Sequence, residues 1–153
     1  MQSMKRPGFR LYRNIAGYFY SRFFCKFETM NLGKTLISLV VIKTDKIQQQ
    51  FEFYSALGLQ FDYHKHGNGP NHYASIGNKP VIEIYPLPKG VLQPDNTTRL
   101  GFTVEDLGKL VQNLRDKGIK IVSEPSNTEW GYSAVVQDLD GRNIELTESK
   151  AAS

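Results

Sequence analysis

Hydrophobic positions along this chain follow strand spacing, then helical spacing, then strand spacing again, and the whole pattern occurs twice. Residues 36–42 form a near-continuous apolar run, the pattern of a strand buried on both faces. Ile47, Phe51, Tyr54 and Leu57 then fall on one helical stripe, with Thr44 or Asp45 as cap and Gly58 as terminator. Leu59, Phe61 and Tyr63 alternate with Gln60, Asp62 and His64, which is strand spacing. Gly67-Asn68-Gly69-Pro70 predicts a turn, 73–76 a strand, Gly77-Asn78 a second turn and 81–85 a further strand.

Pro86, Pro88, Gly90 and Pro94 mark a linker, after which the order repeats. Residues 100–104 read as a strand. Glu105 or Asp106 caps a helix whose inner stripe is Leu107, Leu110, Val111 and Leu114, and Gly118 ends it. Residues 119–123 predict a strand and Pro125, Trp130 and Gly131 a loop. The stretch 132–137 predicts another strand, joined through Asp140-Gly141 to a last one at 142–147. Each copy closes on Ile-Glu, at Glu83 and Glu145. The expected fold is α+β, two tandem βαβββ modules at 34–86 and 98–148 within one domain spanning 30–148, followed by a tail at 149–153.

The 153 residues carry a net +4, but residues 1–29 alone hold +5, so the remainder comes to −1. The duplicated part is therefore not basic and gives no case for a nucleic-acid partner. The lone Cys25 rules out an intrachain disulfide and suits a reducing compartment, so the expected location is cytoplasmic. Residues 1–29 interleave aromatics with arginines, and Leu11, Ile15, Phe19 and Phe23 recur every four residues. Such a segment is a targeting presequence or membrane-surface helix, or else an extension upstream of Met30 as the working start. No apolar run reaches the roughly 18–20 residues a membrane span needs.

Phe53-Tyr54-Ser55-Ala56-Leu57-Gly58-Leu59 resembles the FYxxLGF segment of the glyoxalase/bleomycin-resistance/extradiol-dioxygenase superfamily, the vicinal oxygen chelate fold. Asp138-Leu139-Asp140-Gly141-Arg142-Asn143-Ile144-Glu145-Leu146, preceded by Trp130-Gly131, resembles its DPDGNxIEL signature, with Leu139 in place of the usual Pro. The resemblance covers about residues 34–148. It implies that each module curls its sheet into half of a cup with the helix outside and the ligand inside, a cupped mixed sheet overall. It also implies pairing of two chains as a homodimer.

Metal-using members of that superfamily take one ligand from the first strand and one from the last strand of each module. Carried over, the last-strand ligands are Glu83 and Glu145, and period-2 alternation sends both carboxylates into the cup. The first-strand positions depart from the pattern. The second copy has Arg99, and the first has Ile37, Ser38 or Leu39, none of which is His, Gln or Glu. Two carboxylates without imidazole make a poor transition-metal site, and an arginine repels a cation. Arg99 instead pairs with Glu83 or Glu145, or binds an anionic group of a ligand.

His64, His66 and His72 admit a further reading. His-x-His plus a nearby His can bind zinc, unless the three are hairpin-tip residues in solvent. Asp62 and His72 are placed at the cup rim, and Trp130 either covers the mouth or packs under its loop. The expected function is a small-molecule-binding protein with a metal-free pocket for an anionic or aromatic ligand. Its candidate ligand-binding residues are Ser38, Asp62, His72, Glu83, Arg99, Trp130 and Glu145. The alternative is a metal-dependent lyase, isomerase or dioxygenase that recruits a divalent metal through Glu83 and Glu145.

Overall fold

The computed structural model describes residues 34–149. The basic aromatic segment, its four-residue stripe and Cys25 therefore lie outside the described residues, as does most of the expected tail. The elements run β1 (Leu39–Thr44), α1 (Ile47–Ala56), β2 (Gln60–His64), β3 (His72–Ile76) and β4 (Val81–Pro86). They repeat as β5 (Leu100–Val104), α2 (Leu107–Asp116), β6 (Ile121–Thr128), β7 (Gly131–Gln137) and β8 (Asn143–Glu148). Each copy makes its own four-stranded mixed sheet, in the orders β1-β4-β3-β2 and β5-β8-β7-β6. In each, the first and last strands pair in parallel and the other pairs are antiparallel. The fold is the α+β tandem βαβββ arrangement expected from the repeat. Among the described residues no helix is long and apolar enough to cross a membrane.

Helix α2 forms for the reasons its sequence gives. The Asp106 side chain accepts from Lys109 N at 3.0 Å, Leu107, Val111 and Leu114 are buried, and Gly118 turns the chain away at φ +77°. Helix α1 is less regular. Lys46 is its N-cap residue without a side-chain cap bond, because Asp45 is not engaged and Thr44 Oγ1 accepts from Lys46 N instead. The side chains it buries are Gln50, Phe53 and Tyr54, while Ile47, Phe51 and Leu57 are only partly covered. The Gln50 amide has no partner among the described residues.

Strands β4 and β8 alternate as expected. Ile82 and Ile84 in one, and Ile144 and Leu146 in the other, face the helix and are buried, which turns Glu83 and Glu145 to the opposite, open faces. Each fully buried Ile or Leu of this core contributes about 1.5–3 kcal/mol. Strand β1 departs from expectation. It starts at Leu39, leaves Leu36 and Ile37 exposed ahead of it, and is buried on one face only: Ile42 is 4% exposed and Val41 42%. Among the described residues no second layer covers its outer face, so the run of apolar residues does not become a two-sided core strand there. Strand β6 also differs, continuing through Pro125 to Thr128 where a loop was expected. It is the outermost strand of its sheet, and two register shifts against β7 accommodate a residue that cannot donate to the ladder.

One charge cluster ties the two copies together. The Arg142 side chain is 1% exposed; its Nη1 donates to Asp138 Oδ2 and Asp140 Oδ2, both at 2.8 Å, and its Nη2 to the Lys43 carbonyl at 3.2 Å. From the first copy, Tyr54 OH donates to Asp138 Oδ2, Thr44 Oγ1 to Asp140 Oδ1 and Lys46 Nζ to the Leu139 carbonyl. Burial, and then the Asp138 charge, push the Tyr54 hydroxyl pKa well above the ordinary tyrosine value. Burial alone would lower the Arg142 pKa, but the two carboxylates outweigh it and raise it. Arg142→Ala strands two carboxylates in the interior, and its expected effect is a loss of about 3–5 kcal/mol of unfolding free energy. Urea denaturation measures this, and a loss below about 1 kcal/mol would show that the cluster does not hold the copies together.

Candidate functional site

Strand alternation gives the first sheet an open face that carries chemistry. It presents Leu39, Val41 and Lys43 from β1, and Val81, Glu83 and Tyr85 from β4. From β3 come His72, Ala74 and Ile76, and from β2 Gln60, Asp62 and His64. Tyr73 belongs to the other face, where its ring stacks on Phe51 at 4.2 Å. At the end of the open face near Tyr85 lies a groove of about 580 Å³. Val41, Tyr85, Pro86, Leu87 and Pro88 make it largely apolar, with Lys43, Lys89 and Glu83 as its charged groups and Pro70 as one wall. A cavity of similar size on the other flank of β1 is bordered by the linker residues Val91, Gln93, Pro94 and Asp95 and by Arg142. Hydrogen bonds from Thr97 and Thr98 hold the Asp95 carboxyl well below the usual carboxylate range.

His72 sits under the groove. It is fully buried, its ring stacks on Tyr85 with centroids 4.0 Å apart, and its Nδ1 lies 3.3 Å from the Pro70 carbonyl. Its Nε2 has no hydrogen-bond partner among the described residues and lies 4.0 Å from Glu83 Oε1. His64, directly opposite on β2, and His66 in the following turn come close enough that the three rings offer ligand atoms all within 4.8 Å of one another. Burial, and then the Glu83 carboxylate, raise the pKa of the Tyr85 hydroxyl, so it remains a proton donor at neutral pH.

The second sheet's open face is arranged differently. Glu145 lies opposite Val135 and Gly101, and its Oε2 is 3.5 Å from Arg99 Nε, in a half-exposed pair. Neither residue borders either cavity. Ser38 precedes β1, exposed, with its carbonyl accepting from Val81 N. Asp62 is exposed on β2. Trp130 is 74% exposed at the β6–β7 turn, so it neither packs beneath its loop nor borders either cavity. Lys43, Tyr85 and Lys89 escaped the sequence reading. Lys43 and Tyr85 show only as alternate positions on strands, and Lys89 reads as linker.

A family model described as the Glyoxalase/Bleomycin resistance protein/Dioxygenase superfamily matches residues 36–146, most of the chain. The chain belongs to that superfamily. Solved structures agree in fold. TnmS3, an antibiotic-binding protein from a Streptomyces strain, is 19% identical with a TM-score of 0.61, over 78% of this chain and 99% of that one. A virulence protein from Salmonella typhimurium is 20% identical with a TM-score of 0.59, over 78% and all of it. The trypanothione-dependent glyoxalase I of Leishmania major is 22% identical with a TM-score of 0.59, over 75% and 87%. No curated protein matches the sequence.

Strand pairing sets the metal positions implied by the superfamily resemblance in register. Val41 pairs with Glu83 and Gly101 with Glu145, so Leu39 occupies in the first copy the place that Arg99 occupies in the second. Ser38 falls off the strand. An aliphatic side chain, a guanidinium and two carboxylates, one of them already paired with that guanidinium, do not fit a metal ion.

Proposed function

We propose that this member of the superfamily binds a small molecule in the groove over β1 and β4, without a metal held jointly by Leu39, Glu83, Arg99 and Glu145. The ligand is a flat apolar compound with an anionic group. The observation that carries this reading is the groove's composition: an apolar floor and walls with a few polar groups, the usual make-up of a small-molecule site. Val41 and Pro86 to Pro88 suit a flat apolar body, Lys43 and Lys89 suit its anionic end, and Tyr85 and Glu83 offer one donor and one acceptor. This moves the cationic anchor from Arg99, which is engaged with Glu145, to the two lysines. The antibiotic-binding neighbour is consistent with this class of function.

Pairing of two copies belongs to the same proposal, because Leu36, Ile37, Leu39 and Val41 leave an exposed apolar strip beside the groove. Sedimentation equilibrium of the full chain should return twice the chain mass; the mass of one chain would contradict it. The binding test is a fluorescence titration with 8-anilinonaphthalene-1-sulfonate, a flat apolar sulfonate. The expected result is saturable binding that weakens about tenfold in Lys43→Ala with Lys89→Ala, each lost charge contact accounting for roughly 0.7 kcal/mol. Arg99→Ala should leave it unchanged. Binding that ignores both lysines but is lost with Arg99 would overturn the proposal.

A further inference from the structure

We propose that His64, His66 and His72 form a site for a divalent transition metal of the zinc type, with Glu83 as its fourth donor. The inference rests on the histidine cluster rather than on the groove ligand, with Glu83 bordering both, and of the positions the superfamily resemblance assigns to a metal it shares Glu83 alone. The chain has three histidines in all, and every one of them converges here within nine residues of sequence. The hairpin brings this about. Antiparallel pairing sets His64 directly across from His72, and the turn that follows, closed by Gly69 N donating to the His66 carbonyl at 2.9 Å, returns His66 to the same cluster.

The orphaned nitrogen of His72 is the independent sign of a missing partner. The Pro70 carbonyl can only accept, so Nδ1 carries a proton, and in the neutral ring Nε2 then presents a lone pair. Among the described residues Nε2 is buried without a hydrogen-bond partner, and Glu83 Oε1 lies 4.0 Å away. In that form two electron-rich atoms face one another without a donor between them, which is unfavourable, as is any buried polar atom left without a partner. A cation between them removes both penalties. The Pro70 carbonyl then acts as the outer group that fixes the ring tautomer, a role such carbonyls play at histidine metal sites.

The ligand atoms of the three histidines lie within 4.8 Å of one another, and Glu83 Oε1 lies 4.0 Å from His72 Nε2. A tetrahedral centre with bonds of about 2.1 Å sets its donors about 3.4 Å apart. Glu83 Oε1 and His72 Nε2 reach that by closing roughly half an ångström from 4.0 Å. His64 and His66 lie toward solvent, where rotamer changes bring their nitrogens in, whereas His72 is held by its stack on Tyr85. Imidazoles with one carboxylate suit zinc and its neighbours rather than calcium or magnesium.

The competing account is an imidazolium–carboxylate pair between His72 and Glu83 that involves neither of the other histidines. Calorimetric titration of the tag-free, chelator-stripped full chain with Zn²⁺, and visible absorbance with Co²⁺, separates the two. Expected are one equivalent of metal, the intense visible bands of four-coordinate cobalt, and affinity lowered at least about tenfold by either His64→Ala or His66→Ala. His66 is exposed, so His66→Ala should keep the wild-type circular dichroism spectrum without metal. No uptake, or uptake that neither variant weakens, overturns the site.

Discussion

The burial of one guanidinium between two carboxylates is the constraint on which this molecule turns. Arg142, Asp138 and Asp140 belong to the second copy, yet Tyr54, Thr44, Lys46 and the Lys43 carbonyl of the first copy complete their hydrogen bonds. A buried ion group of this kind is tolerable only when every lone pair and proton is matched. Matching it requires the end of β1 and the middle of α1 to sit against the β7–β8 turn. The same bonds fix Lys43 at the lip of the groove, since its carbonyl is held by Arg142 while its side chain turns to the open face.

The two copies keep one backbone plan and divide its chemistry unequally. Both present a glutamate from the last strand to the open face. In the second copy that carboxylate is met by Arg99 at the surface, where screening by water leaves an ion pair little energy. In the first it faces a buried imidazole and forms the edge of an apolar groove. Duplication thus gives a scaffold in which one half is free to be structural. The first half carries the groove, the cluster of histidines and the lysines beside it.

Much of this architecture was legible in the sequence, because local rules and tertiary context agree there. The glycines closing both helices, the stripe of α2 and the alternation around Glu83 and Glu145 all follow from spacing. Where they disagree, the sequence misleads. Residues 36–42 look like a two-sided core strand, but burial depends on whether a second layer exists, and among the described residues β1 has none on its outer face. Pro125 looks like a strand end, yet at the outer edge of a sheet its missing donor does no harm. Asp140-Gly141 reads as a hairpin turn; nothing local tells that Asp138 and Asp140 are buried against Tyr54 and Thr44, 84 and 96 residues away. The convergence of the three histidines was visible as spacing, but the orphaned nitrogen of His72 shows only in three dimensions.

Under the function proposed here, ligand chemistry in this chain resides on the open face of the first sheet. Amide chemical-shift mapping of the full chain during titration with 8-anilinonaphthalene-1-sulfonate tests it most directly. The account predicts that the largest shifts cluster at Val41, Lys43, Glu83, Tyr85, Leu87 and Lys89, with the second sheet little affected. Shifts centred instead on Arg99, Thr103 and Glu145 would contradict it.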